Sequence, residues 1–131
     1  MKKLILFQLI IITLWGTNGC NNNSANALSG TWTSLAKNSM VLTLTFDNNN
    51  NFITNVKAGD QHFLANGKYA VHEDTLFIRD TLNTPMVLCN YFDTGSYIFK
   101  TKGDSVFLNP IADNCEKRKF ALEIGLVKVK K

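Results

Sequence analysis

The chain reads as a series of short stretches in which apolar and polar residues alternate, separated by clusters of turn residues. Met40, Leu42, Leu44 and Phe46 alternate with Val41, Thr43 and Thr45, the two-residue period of a strand with one buried face. Asp47 and the asparagines Asn48 to Asn51 interrupt it, and Phe52 to Lys57 resumes in extended form, so the pair predicts a hairpin. The second half carries a faint internal repeat. Gly67-Lys68-Tyr69-Ala70-Val71-His72 leads through a short turn into Asp74-Thr75-Leu76-Phe77-Ile78. Gly95-Ser96-Tyr97-Ile98-Phe99-Lys100 leads through a turn two residues longer, containing Gly103, into Asp104-Ser105-Val106-Phe107-Leu108. Strand parity puts Tyr69, Val71, Leu76 and Ile78 on one face with Tyr97, Phe99, Val106 and Leu108, and turns Phe77 and Phe107 the other way.

Met86 to Phe92 predicts a further strand, with Pro85 at its entrance where a missing N–H does least harm. Lys119 to Ile124 and Leu126 to Lys130 predict the last one or two, broken at Gly125. Only Ala112 to Arg118 lacks a strand pattern, and Asp113 or Asn114 would cap a single helical turn there. Eight to ten short strands in sequential order, joined by tight turns, predict an all-β fold. An antiparallel up-and-down β-barrel of about eight strands fits better than a sandwich with long crossovers.

The first residues follow a different pattern. Met1, Lys2 and Lys3 are cationic, and Leu4 to Trp15 form an apolar run of twelve residues broken only by Gln8 and Thr13. That is long enough for a signal sequence and short of a membrane-spanning helix. Gly16-Thr17-Asn18-Gly19-Cys20 follows. A small residue before a cysteine at this distance resembles the lipobox of bacterial lipoproteins, with Thr17 standing where that family usually has Leu. The organisation this implies is a signal peptide over 1–19, a lipidated Cys20 opening a polar tether over 20–27, and one domain over 28–131. Two alternatives are ordinary cleavage after Ala25-Asn26-Ala27 and an uncleaved anchor. A diacylated cysteine would hold the protein stably to the bilayer. Asn21 is not the Asp associated with inner-membrane retention, so the expected location is the outer membrane, facing the periplasm.

Charge adds little. The formal net charge is +4 over the whole chain. Part of the excess sits at Lys2 and Lys3, and the rest at Lys117 to Lys119 and at the Lys128, Lys130 and Lys131 tail. A short basic tail on an exported domain is a solvated end, and nucleic acid is not expected as a partner. With Cys20 lipidated, Cys89 and Cys115 remain as an even pair in an oxidising compartment, which predicts a disulfide. Two buried free thiols are the alternative.

A wider resemblance rests on two stretches. Ser29-Gly30-Thr31-Trp32 is similar to the Gly-x-Trp element that opens lipocalin and other calycin barrels. Gly95-Ser96-Tyr97, then Gly103-Asp104, then Asp113-Asn114-Cys115-Glu116-Lys117-Arg118 resembles the ending of small bacterial lipocalin-like lipoproteins. The resemblance implies that Gly30, Trp32 and Arg118 close one barrel mouth, with the guanidinium stacked on the indole.

Candidate chemistry is sparse. His62 and His72, with Asp60, Glu73 and Asp74, show no metal-ligand spacing, and His72 has the parity that faces solvent. No serine lies in a nucleophile-like turn and no glycine loop suits a phosphate. No enzyme activity, metal or cofactor is expected. The barrel interior suggests a binding role, with Tyr69, Tyr97 and Phe99 beside Trp32 lining a cup for a small apolar or amphipathic ligand. The alternative is a tethered interaction or inhibitory module, with a filled barrel and a protein partner at a patch around Phe77 and Phe107.

Overall fold

A computed structural model describes residues 27–34, 40–81, 89 and 93–130. Cys20, the segment 1–19, most of the tether and the strand expected over Met86–Phe92, apart from Cys89, lie outside the described residues. Eight strands close into one antiparallel barrel in sequential order: β1 (Gly30–Ser34), β2 (Met40–Phe46), β3 (Asn51–Ala58), β4 (Gln61–His72), β5 (Thr75–Asp80), β6 (Thr94–Lys102), β7 (Ser105–Ala112) and β8 (Leu126–Lys128). A helix, α1 (Glu116–Leu122), lies between β7 and β8. Pairing of β1 with β8, Thr33 opposite Val127, completes the ring.

The expected periodicities set the wall. Leu42, Leu44 and Phe46 of β2 are buried, while Val41 before them is exposed and Thr43 and Thr45 between them are half-buried. Register pairs Leu44 with Trp32 on one side and Thr54 on the other, so inward residues of adjacent strands meet in rows. The first hairpin is tied by Asp47, whose Oδ1 accepts from the backbone N–H groups of Asn49 and Asn51, each at 2.8 Å. The two copies of the internal repeat form β4–β5 and β6–β7. Both turns place one residue in the left-handed region, Glu73 at φ 55° and Gly103 at φ 59°. The extra residues of the second copy extend its strands, Lys102 pairing with Ser105, and leave the turn as short as the first.

Two segments depart from expectation. Lys119 to Leu122 is helical, although its apolar residues alternate as in a strand. The same residues also satisfy a helical period, since Arg118, Ala121 and Leu122 are the buried positions of α1. A capping signal decides between them. Cys115 is extended and its Sγ accepts from the Arg118 N–H. Thus Cys115 caps the helix, in place of Asp113 or Asn114, and Glu116 in the first turn suits the helix dipole.

Strand directions sort the rest by barrel end. One end carries Leu28 and the turns at 47–50, 73–74 and 103–104. The other carries the 59–60 turn and α1. Leu28, fully buried, plugs the first end, and its carbonyl accepts from Trp32 Nε1 at 2.7 Å. Ala121 and Leu122 join the core at the helix end.

Candidate functional site

The four aromatics expected around a ligand cup all point inward and all belong to one packed core. Tyr97 has no accessible surface and Trp32 retains 2 %. Tyr69 and Phe99 are buried with them in the same cluster, so these four rings fill the barrel and leave no ligand cup between them. The hydroxyls are also committed. Tyr69 donates to the Asp47 carbonyl at 2.6 Å and meets Phe46 edge to face at 4.7 Å between ring centres. Tyr97 donates to Asp113 Oδ2. Phe99 is buried beside them.

The helix end is closed by charge. β7 delivers Asp113 at its end, Cys115 starts α1, and one turn later Arg118 points back into the barrel with 4 % of its surface exposed. Its Nε donates to Asp113 Oδ2 at 2.7 Å and its Nη2 to Asp113 Oδ1 at 2.8 Å, a two-pronged pair. Nη2 also donates to the Asp93 carbonyl at 3.0 Å. Nη1 lies 3.5 Å from Asp80 Oδ2, at the end of β5, and makes no hydrogen bond. Asp113 Oδ1 also accepts from the Cys115 N–H at 2.8 Å.

These contacts divide the two carboxylates. Burial works to raise the Asp113 carboxyl, but hydrogen bonds from Arg118, Tyr97 and the Cys115 N–H outweigh it and hold it below its ordinary value. Burial raises Asp80, and the Asp113 charge adds to that against the opposing pull of Arg118. Tyr97 is pushed well above the usual phenol range by burial and by its bond to Asp113. The cluster thus holds Asp113 as a carboxylate on a permanent guanidinium.

The expected stacking of Arg118 on Trp32 is corrected by these contacts. The cation over the Trp32 ring is Lys128, its Nζ 5.2 Å from the ring centre. Register explains the exchange, because Lys128 of β8 sits directly opposite Trp32 of β1, whereas two carboxylates at the helix end draw the guanidinium away. Gly30, at φ 115°, gives the Lys128 stem room to cross, since a Cβ there would lie 3.3 Å from Lys128 Cε.

Cys89 and Cys115 form a disulfide, with Cα atoms 5.5 Å apart. It ties the first residue of the helical cap to the connection between β5 and β6. His62 and His72 are exposed, and among the described residues no three His, Cys, Asp or Glu side chains gather as metal ligands.

The surface is more informative than the interior. Phe77 and Phe107 face outward as parity predicts, but Phe107 lies partly over Gly125. The most exposed large apolar side chain among the described residues is Phe120 of α1, at 67 %. It borders a cleft of about 350 Å³ between the helix and the strand rim, shared with Met40, Val56 and Phe63. A period-two reading hid this residue; the Cys115 cap and the Arg118/Ala121/Leu122 spacing are the signals that reveal it.

Fold and site define a closed, filled, eight-stranded antiparallel barrel with an ion-paired helical lid. No family model, curated protein or solved structure matches the chain.

Proposed function

We propose that this chain is a lipocalin-like lipoprotein of the bacterial envelope, exported on residues 1–19 and anchored through an acylated Cys20. On this reading it works as a membrane-tethered interaction module and does not act as a carrier or an enzyme. The observation that carries the proposal is the inaccessible interior: Tyr97, Leu42, Leu44, Leu76 and Leu126 have no exposed surface at all, and both tyrosine hydroxyls are bonded within the protein. The Cys89–Cys115 disulfide suits an exported domain.

Strand direction supports a division of labour. The tether joins the barrel at the Leu28 end, so the α1 end is presented away from the bilayer. There the cleft bordered by Phe120 offers a pocket for an apolar side chain of a protein partner, the kind of anchor that dominates interface energies.

The test is native mass spectrometry of the protein with Cys20→Ser behind a cleavable signal, purified without detergent. The expected spectrum is the bare protein mass. A reproducible adduct of lipid size that disappears on Tyr97→Ala would overturn the module reading and restore the carrier. An adduct that survives Tyr97→Ala and disappears on Phe120→Ser would place a small ligand in the cleft and overturn the protein partner.

A further inference from the structure

We infer that the helix end of the barrel holds one ordered water molecule, bound between Arg118, Asp80 and Thr54. The space exists: a cavity of about 20 Å³ is lined by these three residues and otherwise by hydrocarbon, including Phe52 and Ile78. A single water needs roughly 10–15 Å³, together with two to four polar partners.

The partners exist as well. Arg118 Nη1 is fully buried and makes no hydrogen bond, its nearest carboxylate oxygen lying 3.5 Å away on Asp80. The Asp80 side chain is 3 % exposed. Thr54 points inward from β3 and is buried, and its hydroxyl bonds to no other described residue. Arg118, Asp80 and Thr54 therefore border one small space, and the Arg118 Nη1 and the Thr54 hydroxyl have unused bonding capacity. Leaving such groups dry costs about 1–3 kcal/mol each, and more for charged ones.

The chemistry of the three selects the occupant. It must accept a hydrogen bond from Nη1 and donate one to Asp80. A sodium or ammonium ion accepts nothing from a guanidinium. A chloride would sit against Asp80 with Asp113 on the far side of Arg118. Water does both, and the Thr54 hydroxyl supplies a third bond. The bound water thereby links α1 to β3 and β5, and it joins Asp80 to Arg118 where direct contact is too long for a hydrogen bond.

Water ¹⁷O relaxation dispersion on the full 131-residue chain counts long-lived internal waters without interference from exchanging hydroxyl protons. The wild type is expected to hold one more than Thr54→Val, and Thr54→Ser to match the wild type. Denaturation should show Thr54→Val with an unfolding constant roughly fivefold to tenfold larger, the loss of one hydrogen bond. Equal water counts in wild type and Thr54→Val, or a valine variant more stable than wild type, would overturn the assignment, because a dry hydroxyl is improved by its methyl replacement. Should the valine variant not fold, an electron-density map of the wild type decides: a peak bonded to Nη1 supports the site, and an empty cavity removes it.

Discussion

Arg118 and Asp113, five residues apart on either side of the Cys115 cap, meet through two parallel hydrogen bonds of 2.7 and 2.8 Å inside the helix end of the barrel. The short helix that carries Arg118 acts as a lid whose inner face is fastened by charge. The fastening is local in sequence, but it reaches β5 through Asp80 and β6 through Tyr97. A seven-residue helix has little stability of its own, so its place depends on these contacts and on Ala121 and Leu122.

Removing Asp113 tests this dependence. Asp113→Ala leaves a buried guanidinium with only the long Asp80 contact and the Asp93 carbonyl, and should destabilise the protein by about 3–5 kcal/mol. Tyr97→Phe, which removes one donor from the same carboxylate, should cost less, about 1–2 kcal/mol. Urea denaturation of the two variants measures both, and an equal loss in each would contradict the assigned roles.

The two carboxylates should show opposite pH behaviour. Asp80 has a raised value, so its ionisation works against the folded state. Wild-type stability relative to Asp80→Asn should be greatest below the ordinary value of 3.8 and shrink as pH rises through the raised one. Asp113 is lowered, and its stabilisation is complete above 3.8 and lost as pH falls through the lowered value. Denaturation of wild type and both asparagine variants from acid to neutral pH resolves the two trends.

The disulfide closes a loop with a sequence separation of 26. Reduction should cost about 3.5 kcal/mol in the chain-entropy model, and it also frees the cap of α1. Thermal unfolding with and without reductant measures the loss, with Cys89→Ser/Cys115→Ser as the permanent counterpart.

Lys128 over Trp32 is a surface cation on a buried ring. Lys128→Met should cost about 0.5–1 kcal/mol, far less than Asp113→Ala. A similar contrast checks the orientation of α1. Phe120→Ser should change stability by no more than about 0.5 kcal/mol, whereas Leu122→Ala should cost about 2–5 kcal/mol. Reversed values would return the segment to a strand with Phe120 inside.

Much of the barrel was legible along the chain because a half-buried strand enforces a strict period of two. Met40 to Phe46, the turn over Asp47 to Asn50 and both repeat hairpins lie where alternation and turn residues put them, although Asn51 already belongs to β3, and Tyr69, Tyr97, Phe77 and Phe107 have the faces that parity assigns. The run from Ser105 to Leu108 needed no knowledge of its neighbours, whereas Asn109 to Ala112 are all exposed, show no alternation, and join β7 only through their pairing with β6. Each of these signals is local, since side-chain direction follows from backbone geometry alone.

Other features depended on partners distant in sequence. Lys119 to Leu122 fits two periods, and only the Cys115 cap together with the space at the barrel mouth makes it a helix. Trp32 attracts a cation, but whether Lys128 or Arg118 supplies it is decided by β8 closing against β1 and by two carboxylates converging from β5 and β7. Inward tyrosines suit a cup or a core equally well. The closed barrel made them core, because the inward side chains of its other strands pack against them and because Asp47 and Asp113 stand within reach of their hydroxyls. By itself the sequence determined which residues face inward; only the tertiary structure decided what they meet there, since charge pairing and cavity volume are properties of space that no local pattern encodes.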